Sequence, residues 1–538
     1  MLPADRTLAS SASPAVKPFA ATLAQARAMG LALVIAVALV PRLSNLGASG
    51  FSEDEINKLH AVASYGHFDF SANAEHPMVM KLADWAAISG VHWWDDHVGA
   101  LRIPVEAALR LPNAIVGTAT TAVVFLLAET LFDGTVAAWA AVFWALDANA
   151  ASINRIGKED TLLVFFLLLA AYCYERAKAY GYDDAIRRER WYGGSAAAFG
   201  LMLASKYMPH YFGLHALFNI AADRNPEDKT PDKRLSFFVI LGAVFAAANF
   251  ALLLPATWRY LAEYAHGELL LHSGYDFAHV IYVNTIGASP WGLPAYFYVV
   301  FLATKVPLAI LAAAIGGAVW TARHSDHRGA TFIRVFLLFT LLPYSLVASK
   351  FVRYLLPVLA VIDVAAAVGV VWLLRALADR EPTTVRDLAF AAVIVVAVAS
   401  PLSEQAAAAP FYGLAQNAIG AAIAPPGALF PDDEFYDAGV REAVAAIATA
   451  AGPSAVVCSD AETVVAEYLT RFGRDDIRPC SISHDGLPMT PVDTWVLAQP
   501  GHVYFENAEV LAQIRRRLRP WMTVEAGGVA AVDVFHVR

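Results

Sequence analysis

Apolar residues in this chain come in long unbroken runs separated by short polar breaks. They show neither the two-residue alternation of half-buried strands nor the single stripe of a surface helix. A helix needs about 20 mostly apolar residues to cross the hydrocarbon core of a bilayer. On that criterion the pattern predicts eleven spans, near 28–46, 112–132, 135–151, 161–177, 191–204, 208–222, 236–256, 294–320, 331–347, 354–374 and 388–402. The two short runs 191–204 and 208–222 are split only by Ser205, Lys206 and Tyr207, which predicts a tight helical hairpin. The first run follows Arg27 and is expected to be a retained anchor, because Pro41-Arg42-Leu43-Ser44-Asn45 offers no small-residue cleavage site.

The pattern changes after Pro401. Residues 403–435, rich in Ala, Pro and Gly, read as a linker, and 436–538 as a small α/β domain. Within it a helix is expected at 436–451, a buried strand at 455–458, a helix at 460–472, a strand at 494–498, a helix at 506–518 and a strand near 529–537. No glycine-rich phosphate loop accompanies these elements, so a nucleotide site is not expected. Cys458 and Cys480 both fall in this domain; the sequence leaves open whether they pair or remain as buried thiols. Residues 1–402 are expected to form the membrane domain, an α-helical polytopic unit with long loops at 47–111 and 257–293.

Composition agrees. Of 538 residues, 58% are hydrophobic and only 16% charged, with a mean hydropathy of +0.49. Soluble globular chains carry about 25% charge, and disorder requires the opposite balance of hydropathy and charge. A net charge of −9 gives no support to nucleic-acid binding, which wants a basic surface, and three cysteines cannot build a disulfide framework.

Basic residues orient the spans. Alternate loops carry Lys178, Arg187, Arg188 and Arg190; Arg224, Lys229, Lys233 and Arg234; Arg323 and Arg328; and Arg375, Arg380 and Arg386. These are expected in the cytoplasm. The N-terminus then lies inside and the C-terminus outside, in the periplasm if the membrane is a bacterial inner membrane.

The loops of the outer set hold the unusual residues. The first, about 65 residues long, carries Glu53-Asp54-Glu55 and then Glu75-His76-Pro77 and Lys81, with Trp85, Trp93 and Trp94 suited to a membrane interface. A carboxylate at the rim, close to apolar surface, has the setting of a tuned base, although three acids in a row also describe a solvated loop. Arg155, Lys158, Glu159 and Asp160 fill the break after the third span; as alternating charges they serve as a polar cap. Lys350 and Arg353 stand on the outer side against the basic-inside trend, and Lys206 ends a span there too. Three such cations suggest a bound anion, and a lipid phosphate is the obvious one. The loop 257–293 has Glu263, His266, Glu268, His272, Asp276 and His279, which leaves a divalent metal open, but it has no metal-ligand motif, so no cofactor is expected to be required. The alternative to an interfacial enzyme is a multi-span transporter or channel with a soluble tail. That would call for charges or broken helices near mid-membrane, whereas these charges sit at span ends on one side.

In chain order the residues also carry a resemblance. They include Pro41-Arg42-Leu43, Asp54-Glu55, His76-Pro77 with Lys81, Arg110-Leu111-Pro112, Asn154-Arg155 with Glu159-Asp160, Ser289-Pro290-Trp291 leading to Tyr296-Phe297-Tyr298, Lys305-Val306-Pro307, and Lys350 with Arg353-Tyr354-Leu355-Leu356-Pro357. Over roughly residues 28–375 this set resembles the protein O-mannosyltransferase family, glycosyltransferase family 39, and its bacterial relatives, which include the lipid A aminoarabinose transferase. The family's second proline after His-Pro is Met78 here. The resemblance implies a GT-C fold and transfer of a sugar from a polyprenyl-phosphate donor to a hydroxyl of a protein, lipid or glycan at the outer face. It implies Asp54 as general base and Glu55 in a positioning role. Arg155, Lys350, Arg353 and Lys206 would meet the donor phosphate. Glu75, His76, Lys81, Glu159, Asp160, Trp291 and Tyr354 would be substrate-binding candidates. A single in-line displacement would invert the anomeric carbon without a second carboxylate nucleophile.

Overall fold

The computed structural model describes residues 16–99, 102–180, 184–211, 213, 231–266, 274–285, 291–488 and 493–537. The helices are α1 (Val16–Leu43), α2 (Glu53–Gly66), α3 (Met78–His97), α4 (Val105–Leu131), α5 (Gly134–Leu146), α6 (Ala148–Ile153), α7 (Asp160–Ala179), α8 (Ala185–Ser205), α9 (Pro231–Ala248) and α10 (Pro255–Ala265). They continue with α11 (Phe297–Lys305), α12 (Leu308–Arg323), α13 (Arg328–Leu346), α14 (Leu356–Ala378) and α15 (Thr384–Ala408). The C-terminal part has α16 (Ala418–Ile423), α17 (Pro431–Phe435), α18 (Val440–Ala450), α19 (Glu462–Arg471) and α20 (Ala508–Arg517).

Ten of the eleven expected spans coincide with helix, and most of the eleventh, 208–222, lies outside the described residues. Fewer meet the length and hydropathy of a full crossing. Among the described residues five helices do so, with α11 and α12 making a sixth if that bent pair is one span. The pair turns by 119° where Val306 and Pro307 interrupt it, since proline removes a donor and disfavours helix in the residue before it. Helix α5 is short, and α7 and α8 carry charges such as Asp160, Glu175, Arg187 and Arg188 at their ends. The result is a multi-pass helical membrane architecture.

Helix α14 is its buried centre, whereas α15 leaves most of its apolar surface exposed, as a lipid-facing helix does. Gly317 of α12 and Gly369 of α14 let two backbones touch. A Cβ on either would fall 1.9 Å from a carbonyl oxygen, of Ala365 and Ala313 respectively.

The first long loop folds into α2 and α3. Ser52 and Glu55 form a capping box that starts α2. On α3, Trp85, Trp93 and Trp94 are exposed.

The C-terminal sheet comprises β3 (Val456–Cys458), β4 (Arg478–Cys480), β5 (Thr494–Ala498), β6 (Met522–Ala526) and β7 (Val529–Val537), after a hairpin of β1 (Gly274–Phe277) and β2 (Val280–Val283) earlier in the chain. Its order is β4-β3-β5-β7-β6, parallel across β4, β3 and β5 and antiparallel beyond. The expected elements are present; β4 and β6 are additions. Cys458 and Cys480, opposite each other on β3 and β4, are joined by a disulfide, which closes the alternative the sequence left open.

This layer does not hang free. One apolar core joins Phe51, Ile56 and Leu109 of the first-loop region to Val444, Val465, Tyr468 and Val532. The Tyr468 hydroxyl accepts from the Phe51 amide and donates to Glu106, both at 2.8 Å.

Candidate active site

Four segments meet at one end of the helical bundle: the start of α2, the break before α7, the turn before α14, and the chain around α17. Asp54 lies in the first turn of α2, its side chain 32% exposed. Lys158 ion-pairs with its Oδ1, and the Tyr436 hydroxyl donates to its Oδ2 at 2.9 Å. Burial alone would push the Asp54 carboxyl up, but Lys158, Arg353 and Lys58 together hold it well below the usual carboxylate range. It is therefore ionised at neutral pH.

Arg353, 12% exposed, is 3.9 Å from each of three carboxylates, those of Asp54, Asp160 and Asp433. Its buried Nε has no hydrogen-bond partner. The carboxylates have other partners. Lys206 binds Asp160 at 2.6 Å, and Asp433 accepts from the Tyr275 hydroxyl at 2.5 Å and the Val352 amide at 3.0 Å. Arg353, Asp433 and Tyr436 line a cavity with Lys305, Glu434 and Phe301. Lys206 also faces the ring of Tyr354 at 4.7 Å, and Tyr354 stacks on Tyr344.

Behind Asp54 lies a second layer of buried charge. Lys58 reaches Glu159 at 2.7 Å, and His76 approaches the same oxygen at 3.6 Å. Burial drives the His76 pKa well down, so its ring is neutral. Lys81 donates to the carbonyls of Ala72, Asn73 and His76 and so shapes the His76-Pro77 turn. Glu75 accepts from the Asn73 side-chain Nδ2.

Other expected site residues are committed elsewhere. Glu55 is fully buried. It takes two hydrogen bonds of 2.7 Å from Arg110 and also accepts from the amides of Ser52 and Gly157. Each of its two carboxylate oxygens therefore accepts two of these hydrogen bonds. Arg155 donates to the carbonyls of Pro41, Ser44 and Asn45, closing the C-terminal end of α1, and stacks over Tyr412. The Lys350 ammonium is held by the carbonyls of Leu293 and Val347. Trp291 is 84% exposed. Of the four cations expected at one anion, the structure thus brings Arg353 and Lys206 onto Asp160 and ties Arg155 and Lys350 to main-chain oxygens.

Sequence reasoning underweighted Lys158 as part of a polar cap, missed Asp433 by reading 403–435 as a linker, and missed Tyr436 by reading it as the start of the helix expected at 436–451, which begins only at Val440. The run Pro431-Asp432-Asp433-Glu434-Phe435-Tyr436-Asp437 was the available signal: four acids with two aromatics do not suit a passive connector. Among the described residues no group of three or more His, Cys, Asp or Glu side chains is placed to hold a metal ion; Glu268 and His272 lie outside them, as do Ser289 and Pro290.

Comparison with known proteins agrees with the resemblance read from the sequence. The profile of the dolichyl-phosphate-mannose-protein mannosyltransferase family matches residues 91–253. No curated protein sequence matches the chain. Among solved structures, ArnT from Cupriavidus metallidurans in the apo state superposes with a TM-score of 0.53 at 13% identity, covering 94% of this chain and 97% of ArnT. The same protein bound to undecaprenyl phosphate gives 0.50 at 14% identity over the same shares. The apo oligosaccharyltransferase of Archaeoglobus fulgidus gives 0.51 at 12% identity, covering 88% of this chain and 69% of that one. At these identities the likeness establishes a shared fold, that of the GT-C glycosyltransferases.

Proposed function

We propose that this membrane protein transfers a sugar from a polyprenyl-phosphate donor to a hydroxyl acceptor at the outer face. Asp54 is the base, and Arg353, with Lys158 and Lys206 beside it, is the phosphate site. The observation that carries this reading is Arg353: a guanidinium ringed at 3.9 Å by three carboxylates, with an Nε that hydrogen-bonds to none of them. Such a group has N–H donors to offer a phosphodiester oxygen, and its charge would stabilise the phosphate as it leaves. A structure of a protein with this fold holds undecaprenyl phosphate, a ligand of the chemistry proposed.

The reaction would run as one displacement. The acceptor oxygen attacks the anomeric carbon, its proton passes to Asp54, and the bond from that carbon to the phosphate oxygen breaks with the electron pair leaving on phosphate. Asp54 suits the task because it is ionised, partly exposed and oriented by two fixed partners. The membrane spans would hold the polyprenyl tail, so only the head group needs to reach the rim.

The test is turnover by purified protein against a panel of polyprenyl-phosphate sugars. With the sugar that is consumed, Asp54→Asn should bind donor normally and lose about 10²–10⁴ in rate, the usual worth of a general base. An Asp54→Asn enzyme at wild-type rate would remove Asp54 from the mechanism, and no consumption of any donor would remove the reaction class.

A further inference from the structure

The strongest unassigned feature is the way the C-terminal part of the chain grips Asp54. Tyr436 reaches across 382 residues of sequence to donate to Oδ2 at 2.9 Å, while Lys158 holds Oδ1. Both carboxylate oxygens are therefore fixed, one by the membrane domain and one by the segment that leads into the α/β layer.

The backbone shows that this contact is imposed. Tyr436 has φ 49 and ψ 54, and Asp437 after it has φ 60, both in the left-handed region. Bulky residues rarely sit there; Gly or Asn would do so at lower cost. Strain of this kind persists only where the surroundings over-determine it. Here Asp437 supplies the restraint. It accepts from the Glu53 amide and from Gln499, each at 2.9 Å, and pairs with His502 at 2.6 Å. The first residue of α2 and two residues of the α/β layer thus clamp the turn that presents Tyr436 to Asp54.

We infer that Tyr436 is a positioning residue for glycosyl transfer, supplied by the C-terminal part of the chain, which orients the Asp54 carboxylate through its hydroxyl. This rests on the reading of Asp54 as the base. The charged and titratable groups around Asp54 are Glu53 and Lys58 from α2, His76 from the turn before α3, Lys158 from the break before α7, Arg353 from the turn before α14, and Tyr436 itself. Removing the hydroxyl deletes a donor to the ionised form, so protonation of Asp54 should move to higher pH.

The experiment uses the full-length protein and three forms: wild type, Tyr436→Phe, and Tyr468→Phe. The last removes a hydroxyl from the same interface that touches Glu106 and Phe51 instead of Asp54. Carbodiimide coupling of an amine to Asp54, followed by mass spectrometry across pH, reports the protonation midpoint without any turnover. The midpoint should rise in Tyr436→Phe and stay put in Tyr468→Phe. With the active donor, kcat of Tyr436→Phe should fall about 10- to 100-fold, the scale of a misplaced catalytic group. KM for the donor should be unchanged, and the acidic limb of the kcat/KM profile should move upward. An unmoved midpoint, or a loss confined to KM, would overturn the role of Tyr436. A wild-type protein that consumes no donor while the midpoint still moves would instead sink the glycosyl-transfer reading, leaving the Tyr436–Asp54 coupling standing.

Discussion

Arg155 and Arg353 carry the same group and have opposite surroundings. Arg155 spends its guanidinium on the carbonyls that end α1, while Arg353 leaves Nε without a partner beside the cavity. We expect Arg155→Gln to lower the thermal midpoint, since it strands buried acceptors worth about 1–3 kcal/mol each, with donor affinity intact in the protein that remains folded. Arg353→Gln should do the reverse and weaken donor binding at least tenfold. Calorimetric titration with a polyprenyl phosphate, run beside a thermal scan, separates the two; equal loss of affinity in both would return Arg155 to the phosphate site.

His502 and Glu53 make a second expectation, in pH. Asp437 and the carboxyl groups near it outweigh the cost of burial and raise His502 to about 10 from an ordinary 6.5, while burial raises Glu53 to about 7 from 4.5. A raised pKa means that the folded protein binds more protons than the unfolded chain. The His502 contribution is complete below pH 6.5 and is lost as pH rises through 10; that of Glu53 is complete below 4.5 and is lost through 7. Both make the docking of the C-terminal layer weaken with rising pH. His502→Gln should flatten the fall in thermal midpoint between pH 6.5 and 10; an unchanged slope would show that the pair is not what holds the layer.

At the scale of elements, the contact between α12 and α14 depends on two hydrogen atoms in place of side chains. Gly369→Leu puts carbon where the Ala313 carbonyl oxygen lies, so the helices must part. Overpacking a close contact typically costs about 1–3 kcal/mol, and α14 is the buried centre of the bundle. The variant should give less monodisperse protein on size exclusion and a lower thermal midpoint than Gly30→Leu, whose Cβ meets nothing within 4 Å. Similar behaviour of the two would mean that the close approach contributes little. The helices were legible because their runs are apolar and long. The 119° break between α11 and α12 was not drawn, although Val306-Pro307 marked it, since a continuous apolar run hides a bend from hydropathy.

Across the whole molecule, ion pairs sort the connecting segments into two ends. Arg27 meets Glu129 at 3.2 Å, Arg375 meets Asp133 at 2.7 Å, and Arg328 meets Glu175, all in segments expected on the cytoplasmic side. Asp54, Lys158, Asp160, Lys206 and Arg353 gather from segments expected outside. Among the described residues these two sets do not pair with each other. A periplasmic reporter fused after Arg538 should be active and a cytoplasmic one silent; the opposite pattern would invert the topology and move the proposed site to the other face.

What the sequence determined by itself is what hydropathy and short-range chemistry encode: the apolar helices, the position of Asp54 just past the first apolar run, the α/β pattern after 436, and the resemblance that foretold the fold. Helix-forming apolar runs and strand–helix alternation are local properties, readable without knowing what packs on what. Only the tertiary structure decided which charges share a site. It separated Arg353 from Arg155, spent Glu55 on Arg110, and brought Asp433 from an apparent linker to Arg353 and Tyr436 from the start of an expected helix to Asp54. A charged side chain in a chain this apolar must find a partner or a carbonyl, and several lie within reach of each at a crowded rim. Which partner it takes depends on contacts hundreds of residues apart in sequence, and no local pattern records them.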